Sequence, residues 1–301
     1  MMIRRQFMTG SLTAAALRAT SQAQSSAPKF KLKYAPHSGM FKESAGPDII
    51  DEIKFAHDQG FTAWEENNAM SRPVAEQTKM GETFEKLGMT MGVFVAFGSA
   101  NGKENDVVTR TDKEYRDGLR KAMRDAIETA KRVHAKWATV VPNAVNEKMD
   151  LNFQTANVIE NLRVMAEVCE SAGLVMVLEP LNWYTNHPRL FLRTVPQAYA
   201  ICRAVNSPSC KILDDLYHQQ IEVGNLIPNL EMAWSEIGYI QVGDNPGRKE
   251  PTTGEINYKN IFKWLHEKKF EGVVGMEHGN SKPGKEGEQA VIAAYRECDS
   301  F

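Results

Sequence analysis

From Lys31 onward, short apolar runs alternate with longer segments whose apolar residues recur at helical spacing, and the alternation repeats to the end of the chain. The run at 31–35 reads as a first strand. Over 49–59, Ile49, Ile50, Ile53 and Ala56 share one helical face, and Gly60 ends that helix. Further strands are predicted at 61–65, 90–96, 137–141, 175–179, 210–213, 237–242 and 272–276. Helices are predicted at 74–86, 112–135, 152–171, 195–205, 226–235, 259–268 and 286–296, the second of these capped by Thr111 or Asp112.

Strands that read as unbroken apolar runs, each followed by a helix, predict a parallel sheet buried on both faces. Eight such units with no break in composition predict a single (β/α)8 barrel over 28–301, and the alternative is a doubly wound open sheet. The first strand is not followed by a GxGxxG turn, and no internal sequence repeat or second domain is evident, which favours the barrel.

In such a barrel the chemistry gathers where strands end. The fifth strand ends in Glu179, the sixth in Asp214-Asp215, the seventh carries Gln241 near its end, and the eighth ends in Glu277. These residues are spaced by roughly one βα repeat, so four oxygen-bearing side chains can converge on one point. Three bare carboxylates at that point would repel one another, so the convergence predicts a hard divalent cation, Mg²⁺ or Mn²⁺. One acid of the 214/215 doublet could instead be a helix cap, and which of the two holds the metal stays open. Glu65 reads equally as a pocket-lining residue or a salt-bridged rim residue. His57, His134 and His266 fall in helical patterns, whereas His37 and His187 fall in loops. After the seventh strand, 243–248 is a turn-forming segment ending on Arg248, built to touch something.

The 301 residues are 42% hydrophobic and 25% charged, with a formal net charge of −2. That balance offers no electrostatic case for nucleic acid, and no stretch approaches the length of a membrane span. The four cysteines, Cys169, Cys202, Cys210 and Cys298, lack CxxC spacing and read as free thiols, with disulfides open if the chain is exported. Residues 1–27 differ in kind: Arg4-Arg5-Gln6-Phe7-Met8 resembles a twin-arginine export signal, with 21–23 as a cleavage site, although Arg18 interrupts the apolar stretch. The expectation is export to the periplasm; the alternative is a disordered leader on a cytoplasmic protein. Monomer and homo-oligomer are both open.

Glu179-Pro180-Leu181-Asn182, the run 213–218 (LDDLYH), the run 241–248 (QVGDNPGR) with 250–257 (EPTTGEIN), and Met276-Glu277-His278 resemble the xylose isomerase-like TIM-barrel superfamily. Within it they are most similar to the hydroxypyruvate isomerase family, whose neighbours are the ketose 3-epimerases. The resemblance implies Glu179, Asp215, Gln241 and Glu277 as metal ligands. It implies Glu179 and Glu277 as the pair that moves a proton between adjacent carbons, and His218 and Arg248 as contacts to substrate oxygens. Glutamine at 241, where the epimerases usually have histidine, favours the isomerase branch. The run 182–188 departs from the family, with Trp183 and Tyr184 bulking out the pocket, and leaves the substrate open. The expected activity is a metal-dependent isomerisation of a small α-hydroxy carbonyl compound through an enediolate. The competing readings are a ketose 3-epimerase or a lyase on the same barrel, a sugar-binding protein without turnover, and an endonuclease IV-type enzyme. The last would want a histidine-rich zinc cluster and a basic face, which seven histidines and a net charge of −2 do not suggest.

Overall fold

A computed structural model describes residues 27–98 and 106–301. The leader over 1–27 lies outside the described residues except for Ala27. The strands are β1 (Lys33–Ala35), β2 (Ala63–Trp64), β3 (Thr90–Met91), β4 (Val95–Phe97), β5 (Trp137–Val140), β6 (Val175–Leu178), β7 (Cys210–Asp215), β8 (Ile237–Gln241) and β9 (Val273–Gly275). Seven of them form one parallel ladder in the order β1-β9-β8-β7-β6-β5-β4, and β2 and β3 form a parallel pair. The pair completes the ring. His37 bridges Glu65 in parallel register and the Glu65 N–H donates to Pro36 O at 2.9 Å, joining β1 to β2. On the other side the chain runs directly from β3 into β4. The result is the expected (β/α)8 barrel, with the third strand in two pieces.

That interruption corrects the reading of 90–96 as one continuous strand. The first half pairs with β2 and the second with β5, whose register shifts between Val95 and Phe97. At Gly92 between them a Cβ would collide with the Tyr239 hydroxyl, so the barrel interior pushes against the backbone there.

The helices are α1 (Lys42–Ala45), α2 (Ile49–Asp58), α3 (Val74–Leu87), α4 (Asp106–Thr109), α5 (Lys113–Val133), α6 (Leu151–Glu170), α7 (Val195–Val205), α8 (Leu216–Glu222), α9 (Leu226–Ala233), α10 (Tyr258–Glu267) and α11 (Gly284–Cys298). Their starts are set by side chains that accept otherwise orphaned backbone N–H groups: Asp48 for α2, Asp112 for α5, Asp150 for α6 and Thr194 for α7. His134 is not inside α5 but closes it in the left-handed region, at φ 56°.

Alternation along each strand separates two cores. Tyr34, Ala138, Met176, Leu178, Ile212, Ile240 and Val274 face outward into the large layer beneath the helices. Ala35, Ala63, Val93, Trp137, Val177, Leu213, Tyr239 and Val273 form a separate cluster inside the barrel. Strands β5 to β9 are thus buried on both sides, which is why they read as apolar runs, whereas β4 is more open, with Val95 exposed.

Candidate active site

The next inward positions after that inner cluster carry the chemistry. Two residues beyond Ala63, Val177, Leu213 and Tyr239 stand Glu65, Glu179, Asp215 and Gln241, and Glu277 lies two beyond Gly275. The same period settles the acid doublet: Asp215 shares the inward parity of Leu213, and Asp214 takes the other. Asp215 is the helix cap and also the acid that faces inward. Its Oδ1 caps α8 by accepting the Tyr217 N–H at 2.9 Å, and its Oδ2 faces the cluster. Asp214 is buried behind it, pushed up to about 8 by burial and then by Asp215.

The repulsion between the carboxylates is met first by a cation from the chain itself. Arg248 Nη2 lies 2.9 Å from both Asp215 Oδ2 and Glu277 Oε2, and its Nε donates to Glu277 O at 3.1 Å. The convergence of acids therefore does not by itself require a metal. The charges remain unequal, however. One guanidinium faces Glu179, Asp215 and Glu277, and burial followed by the Glu277 and Asp215 charges holds the Glu179 carboxyl well above its ordinary range. Burial raises Glu277 as well, with Arg248 opposing. Asn67 Nδ2 donates to Glu277 Oε1 at 3.2 Å, an orienting contact that no strand-end pattern singles out.

His218 is fully buried, and its tautomer can be read from its neighbours. Asn182 Oδ1 accepts the backbone N–H groups of Thr185 and Asn186 at 3.0 and 3.1 Å, which turns the amide nitrogen toward His218 Nδ1 at 2.6 Å. Nδ1 is thus an acceptor and the ring proton sits on Nε2. Nε2 lies 3.4 Å from Asp215 Oδ2 and 4.0 Å from Glu179 Oε1 without a hydrogen bond to either. Burial holds the imidazole down to about 3, so it is a neutral donor aimed into the cluster. His187 packs against it, with ring centroids 5.2 Å apart.

Glu65 is neither a rim residue nor salt-bridged among the described residues. It is 1% exposed, accepting Tyr239 O–H at 2.9 Å on Oε2 and Gln241 Nε2–H at 2.7 Å on Oε1. Gln241 Oε1 is buried and has no hydrogen-bond partner among the described residues.

Arg248 is delivered by the loop after β8, which Asp244 ties together. Asp244 Oδ1 accepts the N–H groups of Asn245 and Ile256, and Oδ2 accepts that of Gly254. The Asn245–Pro246 bond is cis, and Arg248 itself sits at φ 51°, in the left-handed region. Its guanidinium carbon lies 5.0 Å over the Tyr217 ring. Trp183 and Tyr184 line a neighbouring surface cavity of about 460 Å³ with Arg193 and Glu222, rather than the carboxylate cluster.

The donor set fits a hard divalent cation. Glu179, Asp215 and His218 bring ligand-type atoms within 4.8 Å of one another, although the tautomer gives His218 a proton on the atom it presents. The carboxylate oxygens and the unpartnered Gln241 Oε1 are the atom types such an ion takes.

The model of the xylose isomerase-like TIM barrel matches residues 53–298. The chain is 35% identical over 167 residues to a putative hydroxypyruvate isomerase of Xenopus laevis, covering 55% of this chain and 60% of that protein. A putative hydroxypyruvate isomerase of Danio rerio is 30% identical over 250 residues, covering 80% of this chain and 88% of the relative. Among solved structures, an AP endonuclease, family 2, from Brucella melitensis superposes with a TM-score of 0.74 at 23% identity, covering 88% of this chain and 99% of that one. The 3-keto-D-glucoside 4-epimerase of E. coli gives 0.72 at 20% identity, covering 89% and 100%. These two share the fold, at identities that carry no activity across. With the barrel, the inward acids and a family match along most of its length, the chain belongs to the xylose isomerase-like TIM-barrel family.

Proposed function

We propose that this protein is a metal-dependent isomerase of a small α-hydroxy carbonyl compound, acting through an enediolate in the manner of a hydroxypyruvate isomerase. The observation that carries the reading is the pair Glu179 and Glu277. Glu179 is buried and Glu277 half-buried, desolvation holds both above the ordinary carboxylate range, and both face Asp215 at the open end of the barrel. Isomerisation takes a proton from one carbon and returns it to its neighbour, and raised carboxyls suit that task because they bind a proton more strongly than an ordinary carboxylate does. The names of the curated relatives support the same class.

Glu179, Asp215, Gln241 and Glu277 would hold the cation. When bound, Mg²⁺ or Mn²⁺ supplies Lewis-acid stabilisation of the negative charge that develops on the substrate oxygens. The rest falls to the chain. His218 Nε2–H donates to a substrate oxygen, because its tautomer leaves it no other role there. Arg248 binds an acidic group of the substrate by exchanging part of its contact with Asp215 and Glu277 for it, bidentate where that group is a carboxylate. Of the two glutamates, the less tightly held by the cation is the base, since a cation lowers the basicity of its ligands. Asn67 steadies Glu277 from the opposite side.

The test is incorporation of solvent deuterium into hydroxypyruvate and into fructose, tagatose and psicose, with chelator-treated protein and again with added Mg²⁺ or Mn²⁺. Metal-dependent exchange into hydroxypyruvate alone is the expected result. Exchange into a ketose would move the chain to the epimerases, and no exchange into any of them would overturn the proposal.

A further inference from the structure

We propose that Glu65 is a positioning residue: it selects which end of the Gln241 carboxamide is presented to the Glu179–Asp215–Glu277 cluster. The inference rests on the reading of that cluster as a cation site. A carboxamide has an acceptor end and a donor end of nearly equal size, so packing alone cannot choose between them, and a cation takes only the oxygen. Glu65 makes the choice. Its Oε1 accepts Gln241 Nε2–H at 2.7 Å, which turns Gln241 Oε1 away from Glu65, buried and without a hydrogen-bond partner among the described residues. Gln241 is registered with Asp215 on the adjacent strand, so the two side chains project at the same level of the barrel. Oε1 of Glu65 is an acceptor when the group is ionised and also when its proton sits on Oε2.

The arrangement is built into the barrel rather than incidental. Tyr239, one inward step below Gln241, donates to Glu65 Oε2 at 2.9 Å and so holds the carboxyl in place. Two glycines make room for the chain of groups: a Cβ on Gly275 would overlap Glu65 Oε2, and one on Gly92 would overlap the Tyr239 hydroxyl. Glu65 thus sits beneath the site with one oxygen committed to holding itself and the other to orienting Gln241.

Mn²⁺ affinity measured by electron paramagnetic resonance tests this without any substrate. Glu65→Gln offers Gln241 a donor as readily as an acceptor, and should weaken Mn²⁺ binding about 10–100-fold with the circular dichroism unchanged. Gln241→Ala should lose at least as much, and the double variant should be no weaker than Gln241→Ala alone, because both act through one carboxamide. Should Glu65→Gln fail to fold, Tyr239→Phe removes a single hydroxyl and should weaken binding in the same direction. Wild-type affinity in Glu65→Gln (or in Tyr239→Phe where that variant stands in), or losses that add in the double variant, would overturn the positioning role and leave the cation site standing. A wild-type protein that binds no Mn²⁺ would overturn the cation site and this inference together.

Discussion

Single side chains in this site are set by the atoms that hold them. Glu277 is gripped from two sides, by Arg248 and by Asn67, so replacing its carboxylate with an isosteric amide should preserve the shape and remove the proton carrier. Glu277→Gln is expected to lower turnover roughly 100- to 10,000-fold with an unchanged far-UV spectrum. Wild-type turnover would remove Glu277 from the proposed chemistry. Asn182 acts one step back. Asn182→Asp would offer His218 Nδ1 an acceptor in place of a donor and move the ring proton off Nε2. Nitrogen NMR of the imidazole should show that exchange of tautomer, with turnover reduced roughly tenfold or more for the lost donor. An unchanged tautomer would show that Asn182 does not set it.

At the scale of elements, the site depends on one loop as much as on strands. The segment after β8 carries Arg248 to the cluster, and Asp244 satisfies three of its backbone N–H groups from a fully buried position. Asp244→Ala leaves those donors without their acceptor and should cost roughly 3 kcal/mol in chemical denaturation. It should also raise KM for an acidic substrate more than it lowers kcat, since Arg248 loses its support. A variant with wild-type stability would mean that the loop is held by other contacts. Strands β5 to β9 are less fragile, because both faces are packed. Even the broken third strand keeps its pairing on either side of Gly92.

Across the whole molecule, the two cores leave the thiols inert. All four cysteines are free and buried. Burial pushes the Cys169 thiol up to about 12 and that of Cys298 up to about 11, and Cys202 is raised by its hydrogen bond with Cys210 and then by burial. A raised value means less thiolate at a given pH, so at pH 8 only about one Cys169 in ten thousand is reactive. Native protein at pH 8 should therefore resist alkylation at Cys169, Cys202 and Cys298, whereas denatured protein should react at all four. Rapid labelling of Cys169 in the native state would contradict its full burial at the end of α6.

Much of this protein was legible in its sequence, for a definite reason. Barrel strands are buried on both faces and helices on one, so apolar runs and helical periodicity mark the units directly, and the acids at 179, 215 and 277 stand out because they end such runs. Which acid of the doublet faces inward was not legible, since it depends on the parity that pairing with β8 imposes. The guanidinium of Arg248 between Asp215 and Glu277, the proton on His218 Nε2 and the burial of Glu65 beneath Gln241 were out of reach as well. Each depends on atoms brought together from distant parts of the chain, and only closure of the barrel places them within a hydrogen bond of one another.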